Sequence, residues 1–115
     1  MQNSLQILFR DIPHSEAIDA DIRKRVAKLE KVCGDLISCS VSVEADGKNK
    51  THGKLYKVRV DVTVPGDELV VDGHRTMNED AYVAVRDSFD ATTRQLEEFV
   101  QRRRGEVKTH AAHSE

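Results

Sequence analysis

Cysteine is scarce. Cys33 and Cys39 are the only two, they form no CxxC pair, and a reduced cytosolic chain fits them better than a secreted disulfide scaffold. No apolar run approaches the roughly 18 residues of a membrane span, and the start, MQNSLQILFRDIP, lacks a basic stretch followed by an apolar one. A soluble, unprocessed, cytoplasmic protein with no membrane partner is expected. An excess of one charge is missing too. Lys and Arg number 18 against 20 Asp and Glu, a formal net charge of -2, so no global field draws in nucleic acid and any such binding must use local patches. Apolar residues make up 38% and charged residues 33%, which predicts a small core under a heavily charged surface. At 115 residues the chain is about one domain long and can bury roughly two thirds of its unfolded surface without disulfides or metals.

What is present is alternation, strongest in KLYKVRVDVTVPGDELVV from Lys54 to Val71. Tyr56, Val58, Val60, Val62 and Val64 alternate with Lys57, Arg59, Asp61 and Thr63, the period of two that sends successive side chains to opposite sheet faces. Pro65 and Gly66 break the run as a turn, and a second strand returns as Glu68 to Asp72. Such a hairpin buries too little alone, so helices must cover its valine face.

The flanking sequence supplies them. Leu5, Ile7 and Phe9 mark a short first strand. Ser15 caps a helix whose stripe is Ile18, Ile22, Val26, Leu29 and Cys33, with Gly34 as its expected stop. Ile37, Cys39, Val41, Val43 and Ala45 alternate with serines and Glu44 as the next strand, and the strand-helix-strand unit predicts a parallel pair. Asn78 is the expected cap of a second helix, with Glu79 and Asp80 in its first turn. Its inner stripe is Ala81, Val85, Phe89, Thr92, Leu96, Phe99 and Val100, and Gly105 is its expected end. The reading is α+β, in the order β-α-β-β-β-α, with two helices packed on one face of a four-stranded sheet. One domain spans residues 1–105, and residues 106–115, without period, are expected to be a disordered tail.

The residues offer little for catalysis. Gly47, Gly53 and Lys54 miss the phosphate-loop spacing, and a flexible hairpin loop explains them. His110 and His113 are three apart but lack helical support and a third ligand. His14, His52 and His74 fall in loops with no nucleophile placed beside them, and Asp67 and Glu68 are adjacent on a strand and point apart. No cofactor, no metal and no enzymatic activity are expected.

Local charge says more. Lys24, Lys28 and Lys31, spaced four and three, form a basic stripe on the first helix, flanked by Arg23 and Arg25. From Glu44 to Arg59 five basic residues, including Lys48 and Lys50, stand against two acids, a local +3. On the second helix Arg86, Asp90 and Arg94 have the spacing of exposed ion pairs. Arg102, Arg103 and Arg104 have only Glu98 four residues before them, which leaves at least two guanidinium groups for phosphate.

PGDELVV followed by EDAYVAVRDSFDATTRQLE resembles the ribosome hibernation factor family, also called ribosome-associated inhibitor or sigma-54 modulation proteins. Asp80, Tyr82, Ala84, Val85, Asp90, Arg94, Gln95 and Leu96 carry the match, KRVAKLEK supports it, and the likeness covers Leu5 to about Arg104 in the manner of a short member. It implies a double-stranded-RNA-binding-domain-like fold with an added first strand, seated on the small ribosomal subunit where messenger and transfer RNA pass. The implied partner is 16S-type ribosomal RNA rather than DNA, and a monomer is expected away from the ribosome. The candidate RNA-binding residues are Lys24, Lys28, Lys31, Lys48, Lys50, Arg86, Arg94, Arg102, Arg103 and Arg104. Glu97 and Glu98 stand where that family usually has lysines, as does Ala91, which lowers the positive charge of the second helix. The competing expectation is a protein-interaction module using the polar sheet face of Ser38, Ser40, Ser42, Arg59 and Thr63.

Overall fold

The computed structural model describes residues 4–46 and 54–113. In chain order the elements are β1 (Leu5–Arg10), α1 (Glu16–Val32), β2 (Ser38–Asp46), β3 (Leu55–Val64), β4 (Asp67–Val71) and α2 (Ala81–His113). The sheet order is β1-β2-β3-β4, with β1 parallel to β2, as the strand-helix-strand unit predicts, and the other neighbours antiparallel. Gly66 closes the β3–β4 turn at φ 80, in the left-handed region that glycine enters without penalty.

Register puts the buried valines in one layer. Val41 pairs with Val60 and Val43 with Val58, and all four are fully buried. Each such valine contributes about 1.5–3 kcal/mol relative to leaving it in water. Ile18, Ile22, Val26 and Leu29 of α1 and Val85, Phe89, Leu96 and Phe99 of α2 close over that same layer to form one core. The opposite sheet face carries Gln6, Leu8, Ser40, Ser42, Arg59 and Asp61. The helices run in the same direction. Ser15, Ala81 and Tyr82 at their starts share one cavity, whereas Val32 and Cys33 share another with Val100 and Arg103.

A buried hydroxyl chain seats α2. Ser88 Oγ donates to the Val58 carbonyl at 3.0 Å and lies 2.7 Å from Thr76 Oγ1. Gly73, at φ 90, lies so close to the same strand that a Cβ would overlap the Val58 carbonyl.

Four local expectations are corrected. Gly34 does not stop α1: the helix ends at Val32, and Cys33 caps it in extended conformation, its N–H bonded to the Leu29 carbonyl at 3.0 Å. Asn78 does not cap α2, because its backbone is taken by a bridge to Tyr56; Asp80 does so instead, accepting from the Tyr82 N–H at 2.9 Å. Ile37 lies just outside β2 and is 50% exposed, while Leu36 fills the core at 3%. Gly105 does not end α2, which runs on to His113. A glycine inside a helix costs only about 1 kcal/mol, which flanking helix formers can absorb. Cys33 and Cys39 are both free and buried, and burial, followed by the nearby Asp61 charge, pushes the Cys39 thiol up to about 12.

Candidate nucleic-acid interface

The interface starts from α1. Ser15 Oγ accepts the Ile18 N–H at 3.2 Å and fixes the first turn, and the buried stripe then turns Lys24, Lys28 and Lys31 out to solvent together. Their neighbours are committed: Arg23 pairs with Asp19 at 2.6 Å and Arg25 with Asp21 at 3.0 Å. The Arg23 guanidinium, and secondarily His14, hold the Asp19 carboxyl below the usual range against the upward pull of burial. Among the described residues the three lysines form no ion pair. Like charges at three and four residue steps repel one another, so the stripe weakens α1 slightly on its own and is relieved when an anion lies across it.

On α2 the expected Arg86, Asp90, Arg94 ladder is absent. Arg86 turns instead to Asp87 at 3.0 Å, which leaves Arg94 exposed and uncommitted. The arginine run divides. Arg102 lies 4.0 Å from Glu98, a loose exposed pair. Arg103 reaches Asp35 at 3.2 Å and stands 5.4 Å over the Phe99 ring, so it clasps the α1–β2 turn to α2. Arg104 is exposed and forms no ion pair among the described residues.

Five of the ten candidates therefore present free cations on the outer surface of the helical layer: Lys24, Lys28, Lys31, Arg94 and Arg104. Arg86, Arg102 and Arg103 have carboxylate partners, and Lys48 and Lys50 lie outside the described residues. Asp35 is the residue that sequence reasoning missed, since its pairing with Arg103 spans 68 positions and no spacing rule reaches it.

The sheet face differs. The register brings Ser38 opposite Thr63 and Ser42 opposite Arg59, so the competing surface does exist as one patch. Lys57 lies 3.6 Å from Glu44 and 3.4 Å from His74 Nε2, while a hydrogen bond to the Asp61 carboxylate, together with its negative charge, raises the Glu68 carboxyl. Among the described residues no group of three or more His, Cys, Asp or Glu side chains is arranged to hold a metal; the side chains of His110 and His113 lie outside that set. No described helix is long and apolar enough to cross a membrane.

A sheet covered on one side by two parallel helices that carry uncommitted, exposed cations defines a small α+β module. The chain belongs to the sigma 54 modulation protein / S30EA ribosomal protein family, which it matches over residues 5–104. Its fold is shared by solved structures. A ribosomal subunit interface protein from Coxiella burnetii aligns with a TM-score of 0.70 at 15% identity, covering 85% of this chain and 98% of that one. The N-terminal domain of Protein Y from Thermus thermophilus aligns at 0.65 and 20% identity, covering 85% and 99%. No curated protein matches the chain.

Proposed function

We propose that this protein is a non-catalytic, cytoplasmic hibernation factor that binds 16S-type ribosomal RNA of the small subunit in the path of messenger and transfer RNA, and so inhibits translation under stress. One observation carries the reading within this family: Lys24, Lys28 and Lys31 stand exposed in a row without carboxylate partners, although the chain as a whole is net acidic. Cations at helical spacing suit phosphates along a folded RNA backbone, where many weak contacts release counterions and a site is blocked by occupation. The Coxiella burnetii relative is a ribosomal subunit interface protein, which agrees with that partner. If about five phosphates are contacted, log affinity falls against log salt with a slope of about -3.5 to -4.5. Co-sedimentation with purified small subunits at low and high salt tests this. Absence of the protein from the subunit peak at low salt sinks the proposal.

The second reading, a protein partner on the sheet face, draws on Leu8, 37% exposed beside Ser42, within a surface whose hydroxyls suit polar contact. A complex that survives nuclease treatment would favour it.

A further inference from the structure

Both tyrosines of the chain, Tyr56 and Tyr82, line one cavity of about 650 Å³, which none of the ten candidate RNA-binding residues lines. It lies where the two helices begin, and Phe9, His14, Lys54 and Glu79 complete the part that matters here. Tyr82 is 48% exposed, so much of its ring has no protein neighbour. His14 stands edge-on to Phe9, ring centroids 4.9 Å apart at 72°. Lys54 and Glu79 form no ion pair among the described residues.

Building on the RNA-binding reading above, we propose that this cavity takes one unstacked guanine from a single-stranded segment of RNA. Exposed aromatic rings stack a splayed base of any kind, while the choice among bases falls to polar groups at its edge. Asp80 is the poorer candidate for a contact that uses both carboxylate oxygens, because its Oδ1 already accepts from the Tyr82 N–H, and Ser15 Oγ is engaged by the Ile18 N–H. Glu79 remains, an acceptor with two oxygens and no donor. Guanine alone offers a carboxylate two adjacent N–H donors, at N1 and N2. Adenine and cytosine set an amino group beside an acceptor, and uracil sets one N–H between two carbonyls. Lys54 supplies the charge for the nucleotide's phosphate, since both helix starts are already capped by side chains. A base inside a duplex cannot enter, so the cavity reads a loop or an end.

The test uses the full chain and the four ribonucleoside 5′-monophosphates at millimolar concentration, without ribosomes. With no tryptophan present, the near-ultraviolet emission of the protein arises from the two cavity tyrosines alone, so quenching, corrected for nucleotide absorption, reports on the site directly. Guanosine monophosphate is expected to quench the emission and shift the backbone amides of Lys54 and Tyr82, binding about tenfold tighter than the other three. Tyr82→Ala weakens it about tenfold and Tyr82→Phe restores it, because stacking needs the ring and not the hydroxyl. Glu79→Gln removes the preference for guanine. An equal response to all four nucleotides, a response that survives Tyr82→Ala, or a response to an arginine-rich peptide and to no nucleotide each overturns the proposal. Loss of subunit co-sedimentation would overturn the hibernation reading instead, and the two assays fail independently.

Discussion

The two wet faces of the molecule carry similar side chains to different ends. On the sheet face Lys57 is paired with Glu44, serines lie between, and the exposed cations Arg10 and Arg59, which form no ion pair among the described residues, stand apart on different strands. On α1 Asp19 is drawn to Arg23 and Asp21 to Arg25, and the three lysines are left without an ion pair among the described residues. A cation already paired must lose its partner before it can meet a phosphate, and the exchange gains little. Commitment as well as count therefore shapes each face, and it is how a chain of net charge -2 leaves a row of uncommitted lysines on α1.

The comparison breaks most readily at the lysine stripe. Changing Lys24, Lys28 and Lys31 together to Glu should cut affinity for small subunits about a hundredfold or more at low salt, measured by co-sedimentation with circular dichroism as the check on folding. Retained association would move the interface off α1. Gly73→Ala attacks the joint beneath both faces. The positive φ and the overlap with the Val58 carbonyl should cost about 2 kcal/mol or more in urea unfolding, with subunit binding kept below the melting range. Removing Arg10 and Arg59 from the sheet face as Gln should change subunit affinity less than about twofold. A loss as deep as the lysine reversal would erase the distinction between the faces.

The smallest effects are in pH. Asp19 is held down in the fold, chiefly by Arg23, so its contribution is present above the unfolded carboxylate value of about 4 and is lost as pH falls through its lower folded value. Glu68 is raised by Asp61, so its contribution has the opposite sign: present in acid below the unfolded value and lost as pH rises through the folded one. Acid titration of stability should therefore steepen in Glu68→Gln and flatten in Asp19→Asn. Both effects should be slight, because solvent screens these groups. Identical profiles for the two variants would show that neither pairing persists in solution.

Much of this was legible in the chain. Strict alternation from Leu55 to Val64 and the three-and-four spacing of Ile18, Ile22, Val26 and Leu29 specify strand and helix with little competition, and the element order follows. Helix ends were harder to read. Asn78 has the chemistry of a cap, but its backbone was claimed by Tyr56, a partner 22 positions back, and the capping role passed to Asp80. The candidate site was legible where spacing within one helix decides it, as for Lys24, Lys28 and Lys31. It was illegible where a contact crosses the fold. Nothing near Arg103 announces Asp35, and nothing near Arg86 says that Asp87 will win it over Asp90.

Strand order has one last consequence, for self-association. With β1 at the rim of the sheet and no described strand outside it, one side of its backbone keeps amides and carbonyls to spare. Its sequence, LQILFR, favours extended pairing and carries a single charge, Arg10, at its end. In concentrated solution this is the line along which a second copy would most easily add a strand, and Arg10 is the gatekeeper that stands against it.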